Sequence, residues 1–163
     1  MNHIRLFILI SFLFLTSCVS VNLGGGKASK ATDISYVAPK SSFDKIKNEG
    51  FDHAWQNPKN GNTIAFLSEC RSKTDISMQL MEKESLEALE NLKIIKSNLF
   101  EYNEREAKEL LAEGQVDGIP VKIQLVLLKK NECNYTISFV GRKKFFDVDQ
   151  GTFQTFLTEF KAP

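Results

Sequence analysis

The segment from Ile119 to Lys130 restricts the possible folds more than any other part of the chain. Val121, Ile123, Leu125 and Leu127 alternate with Lys122 and Gln124, the two-residue period of a strand with one wet face. At Val126 and Leu128 the run turns apolar on both faces, which a strand tolerates where both sides of its sheet are covered, here by helices. Asp117-Gly118 precedes it, a strong hairpin dipeptide, and Lys130-Asn131-Glu132 follows it as a tight turn. Antiparallel neighbours are therefore expected over Ala107–Val116 and Cys133–Gly141, with a further strand over Ile94–Tyr102. The stretch Ala-Lys-Glu-Leu-Leu-Ala-Glu inside Ala107–Val116 is equally compatible with a helix.

Earlier in the chain, Asp52–Gln56 reads as a strand ending in the turn-rich Asn57-Pro58-Lys59-Asn60-Gly61. Thr63–Cys70 is its hairpin partner, with Ile64, Phe66, Ser68 and Cys70 on one face. Thr74 or Asp75 can cap a helix running to about Leu92, its apolar stripe made by Met78, Met81, Leu86 and Leu89. Near the C-terminus Asp149 is placed to cap a second helix. Its Phe153, Phe156, Leu157 and Phe160 recur at i, i+3, i+4 and i+7, the pattern of a helix docking on a sheet. The fold class is α+β, an antiparallel sheet of about six strands sandwiched by helices, including the C-terminal amphipathic one. A single domain is expected over residues 42–163.

The first residues belong to a different kind of segment. Arg5 is followed by an apolar run from Leu6 to Leu15, interrupted only by Ser11. Ten helical residues cover about 15 Å, roughly half of a membrane's hydrocarbon core, which suits the apolar part of a signal peptide and not a spanning helix. Leu15-Thr16-Ser17-Cys18 then resembles the lipobox of bacterial lipoproteins: a branched apolar residue, two small ones beside the bond to be cut, and a cysteine. The resemblance implies cleavage of residues 1–17 and lipid attachment at Cys18. Val19, in place of the aspartate that retains lipoproteins at the inner membrane, implies an outer-membrane anchor facing the periplasm. Residues 18–41, with Gly24-Gly25-Gly26 and no apolar period, are expected to be a flexible tether.

Lys and Arg total 21 and Asp and Glu 20, and Arg5 is the one such residue in the leader, so the mature chain balances at 20 against 20. That balance gives no overall steering toward nucleic acid. Lys129-Lys130 and Arg142-Lys143-Lys144 read as solvated strand ends. Two cysteines remain after lipidation, Cys70 and Cys133, and in an oxidising compartment such a pair closes as a disulfide. Both are placed on core-facing strand positions. Two free thiols are the alternative; a metal site lacks partners, because His53 is the one histidine left in the mature chain.

Chemistry is scarce. A Ser-His-Asp or Cys-His arrangement would have to use His53, which sits in a strand, and no Gly-x-Ser-x-Gly elbow presents a nucleophile. Asp147-Val148-Asp149-Gln150-Gly151 departs from a calcium loop, with Gly fifth and Thr158 at position twelve. Neighbouring carboxylates such as Glu101, Glu104 and Glu106 are expected by chance at this charge density. No metal or cofactor is implied.

Taken in order, the Trp55-bearing strand, the turn into Ile64–Cys70, the long helix, Arg105-Glu106-Ala107 leading to Asp117-Gly118, the Cys133-x-Tyr135 strand and the Phe-rich last helix resemble the PsbP/Mog superfamily. This resemblance covers roughly Phe43 to Phe160. It implies an antiparallel sheet between helices and non-enzymatic binding or assembly roles, without assigning any residue. The leading expectation is therefore a membrane-anchored lipoprotein that binds or assembles an envelope protein partner. A small-ligand carrier is the alternative, with a pocket between sheet and helix that Trp55 and Tyr135 would line. A hydrolase built on His53 ranks last.

Overall fold

A computed structural model describes residues 28–40, 42–70 and 76–163. Among these residues seven strands form one antiparallel sheet: β1 (Asp44–Ile46), β2 (His53–Gln56), β3 (Thr63–Cys70), β4 (Glu90–Tyr102), β5 (Arg105–Val116), β6 (Ile119–Lys130) and β7 (Cys133–Arg142). Their spatial order is β1-β2-β3-β7-β6-β5-β4. Helix α1 (Met78–Leu86) lies on one face; a 3-10 turn (Phe146–Val148) and helix α2 (Gln150–Glu159) lie on the other.

The last four strands form a meander joined by two-residue turns. Asn103-Glu104, Asp117-Gly118 and Asn131-Glu132 all have positive φ at both positions, the backbone twist that matches the strands they connect. Segment Arg105–Val116 is a strand despite its helix-forming residues. Pairing along both edges, with β4 and β6, outweighs a local preference of a few tenths of a kcal/mol per residue.

The expectation that β6 is covered on both faces holds. Val126 and Leu128 join Trp55, Phe66, Tyr135, Ile137 and Phe139 under α2, whose Phe153 and Phe156, with Phe160 at its C-cap, complete that core. Ile123, Leu125 and Leu127 pack with Leu110, Ala112, Met81 and Leu86 on the α1 side. Phe139 stacks on Phe153 at 5.4 Å and Phe66 meets Phe160 edge-on at 5.2 Å.

Several details differ from the sequence reading. The sheet has a seventh strand, β1, three residues long and so too short to show a period. Helix α1 ends at Leu86, not near Leu92, because Glu90 already pairs with Gln115 in the sheet. Its cap is Ser77, whose Oγ accepts from the Leu80 amide at 3.2 Å; Thr74 and Asp75 lie outside the described residues. Part of the stretch expected as tether lies on the domain. Ser29 exchanges backbone hydrogen bonds with Cys70 and Ser35 with Lys161, while Tyr36 inserts among His53, Trp55, Phe66 and Phe156. Cys18 and the glycine run Gly24–Gly26 are outside the described residues.

Candidate ligand groove

Helix α1 has nine residues and spans about 13.5 Å, so it cannot cover one face of a seven-stranded sheet. Its sheet-facing Met81 and Leu86, with Ile76 just before the helix, pack chiefly above β5 and β6. Toward β7 and β3, among the described residues, α1 leaves the same face open. There Leu67 of β3, Val140 of β7 and Ile123 and Leu125 of β6 form an apolar floor, with Thr136 and Ser138 among them. Met81, Ala88 and Leu89 make one wall, and Gly50 and Phe51 the other. The volume of this open groove is about 420 Å³, within the range of about 300–1,000 Å³ common for small-molecule sites. Glu69, Glu84 and Ser85 add polar groups to the lining.

Trp55 and Tyr135, expected as pocket liners, are not there. They point to the opposite face, into the α2 core, where Trp55 is 4% exposed and Tyr135 fully buried. The cause is strand parity. Residues pointing into the aromatic core cannot also face α1.

His53 sits half-buried among Tyr36, Trp55 and Phe66, with ring centroids 5.5–5.8 Å away. Burial, and then the charge of Lys45, lower its pKa. The nearby Ser68 hydroxyl is already committed: it donates to Asp52 Oδ2 and accepts from the Ala31 amide at 2.9 Å. Asp52 in turn pairs with Lys30 at 2.9 Å. This arrangement fastens the N-terminal segment to β2 and β3 and offers no nucleophile to the imidazole.

Asp149 occupies the N-cap position of α2, but its side chain does not cap. Its Oδ2 accepts from the side-chain amides of Asn57 at 3.0 Å, Asn60 at 2.7 Å and Asn62 at 2.8 Å. The asparagines belong to the β2–β3 turn, which the carboxylate thereby locks to the start of α2. The visible signal in the sequence is three asparagines within six residues, a turn-rich stretch whose side chains have no local use for so many amides. Asp149 is thus occupied, and Asp147 pairs with Lys122 at 3.1 Å. Among the described residues no group of three or more His, Cys, Asp or Glu side chains is placed to hold a metal ion.

The basic clusters are partly engaged. Lys130 donates to the Ala162 carbonyl, Lys143 pairs with Glu113 at 2.7 Å, lowering the Glu113 pKa, and Lys144 lies over the Phe145 ring. Cys70 and Cys133 stand directly opposite each other on β3 and β7 and are bonded as a disulfide.

No protein-family model matches the sequence, and no curated protein matches it. Solved structures do. Cyanobacterial PsbP (CyanoP) from Synechocystis superposes with a TM-score of 0.59 at 10% identity, covering 91% of this chain and 99% of that one. LpqN of Mycobacterium tuberculosis, described as involved in cell envelope biogenesis, gives 0.60 at 10% identity, with 86% and 88% covered. PA94 of Pseudomonas aeruginosa, a protein of unknown function, gives 0.51 at 14% identity, with 78% and 87% covered. The fold is PsbP-like.

Proposed function

We propose that this chain is a lipoprotein anchored through Cys18 in the cell envelope, where its PsbP-like domain binds or helps assemble another envelope protein without catalysis. The observation that carries the binding reading is the groove beside α1. It is an apolar cleft of about 420 Å³ on a face the fold leaves half covered. The side chains that would be needed for acid–base work are instead tied into structure, as at Asp149, Asp52 and His53. The lipobox-like Leu15-Thr16-Ser17-Cys18 and the likeness to LpqN, named for a part in envelope biogenesis, support the envelope location. Val19 favours the outer membrane and its periplasmic face. No helix among the described residues is long and apolar enough to cross a membrane.

The groove also favours a second reading, carriage of a small apolar ligand. One experiment separates the two. A benzophenone amino acid replaces Ala88 on the groove wall, or Gln154 on the far face as control, and the full chain is irradiated in its native membranes. A protein adduct at position 88 supports the assembly role, and a small mass increment supports the carrier. No adduct above the control level would sink both.

A further inference from the structure

The two edges of the sheet are unlike. One ends in β1, three residues long; the other is β4, thirteen residues long. On β4 every residue but Tyr102 is exposed, and Leu92, Ile94, Ile95, Leu99 and Phe100 are large and apolar. A long apolar edge of this kind offers a row of backbone donors and acceptors to another strand. We propose that β4 pairs antiparallel with β4 of a second copy of this chain, about a two-fold axis at Ser97, so that the sheet continues through a dimer.

The partner is argued from charge and register. Pairing with β5 fixes the face of each β4 side chain. Ile94, Ser97 and Leu99 stand opposite Ala112, Leu110 and Lys108, on the α1 face. Lys93, Lys96, Asn98 and Phe100 stand opposite Glu113, Leu111, Glu109 and Ala107, on the α2 face. The register shift between Ile94 and Lys96 makes Ile95 the extra residue of a bulge. A two-fold axis normal to the sheet preserves faces, so the possible registers can be compared one by one.

Centring on Lys93, Ile94 or Lys96 sets lysine against lysine. Centring on Asn98 buries Ile94 against Glu101, and centring on Leu99 halves the paired length. Centring on Ser97 places Ile94 against Leu99 on one face, and Lys96 against Asn98 and Lys93 against Phe100 on the other. No like charges meet, and the smallest side chain of the strand sits on the axis. The bulges and lysines that make β4 a poor template for arbitrary strands leave this self-pairing intact.

The test uses the full chain in membranes with single cysteines introduced at the edge. Cross-strand Cβ atoms on an axis lie about 4.5–5.5 Å apart, close enough for a disulfide after small adjustment. Ser97→Cys should give a covalent dimer on copper-phenanthroline oxidation, at least fivefold above Gln154→Cys. Co-expressed Ile94→Cys and Leu99→Cys chains should cross-link to each other, with Leu99→Cys alone near background. Adding Ile94→Lys to Ser97→Cys should abolish the product, with unchanged circular dichroism showing an intact fold. Ser97→Cys no better than the control would overturn the dimer. Leu99→Cys exceeding Ser97→Cys would overturn the register.

Discussion

At the scale of single residues, the most consequential side chain is Asp149. Its carboxylate collects three asparagine amides inside the protein, and removing it would strand those donors. Asp149→Ala should cost about 3 kcal/mol, read from denaturant midpoints at unchanged m-value. Gly141 is another tight spot. A Cβ there would lie 1.9 Å from Asn62 Oδ1, so Gly141→Ala should destabilise by about 1–3 kcal/mol through the same cluster. Glu132, held at φ 62° in the β6–β7 turn, points the other way: Glu132→Gly should stabilise by about 1 kcal/mol. His53 gives a pH signature. Burial lowers its folded pKa below the unfolded value, so the unfolded chain binds the proton more readily. Stability should therefore fall as pH drops below about 6.5, and a His53→Gln variant should lose that part of the slope in thermal scans from pH 7.5 to 5. An unchanged slope would show that His53 is not its source.

At the scale of elements, the strands of the meander and α2 were legible because period and turn chemistry agreed. Asp117-Gly118 and Asn131-Glu132 mark the ends of β6, and Phe153, Phe156, Leu157 and Phe160 mark the buried face of α2. Elements whose limits depend on a distant partner were less legible. Helix α1 stops at Leu86 because β5 captures Glu90 onward, and β5 is a strand because β4 and β6 flank it. The Cys70–Cys133 bond ties β3 to β7 at the end where Ser29 joins, closing a separation of 63 residues. Its reduction should lower stability by about 4 kcal/mol, an upper figure on the chain-entropy model, measured by denaturation with and without reductant.

At the scale of the whole molecule, the sheet is covered unequally. Helix α2, the 3-10 turn and the N-terminal segment seal one face with aromatic rings, while among the described residues α1 shields part of the other and leaves the groove. The groove, the long β4 edge and the N-terminal segment that begins at residue 28 lie at different places on the domain. If the tether carries lipid at Cys18, Cys18→Ser should move the chain from the membrane to the soluble fraction with no change in its unfolding midpoint. Retention in the membrane would place the anchor elsewhere.

Taken alone, the chain's residues determined the α+β class, the covered faces of β6 and the hairpin turns, because each rests on neighbours within a few positions. Tertiary structure decided the rest. Strand parity alone could not say which face Trp55 and Tyr135 share with which helix, so the groove lies opposite the aromatic residues expected to line it. Nor could the sequence show that Asp149 would turn from capping its helix to gathering three asparagines some 90 residues away. Both outcomes depend on long-range pairing of surfaces, a property of packed elements rather than of any local stretch of chain.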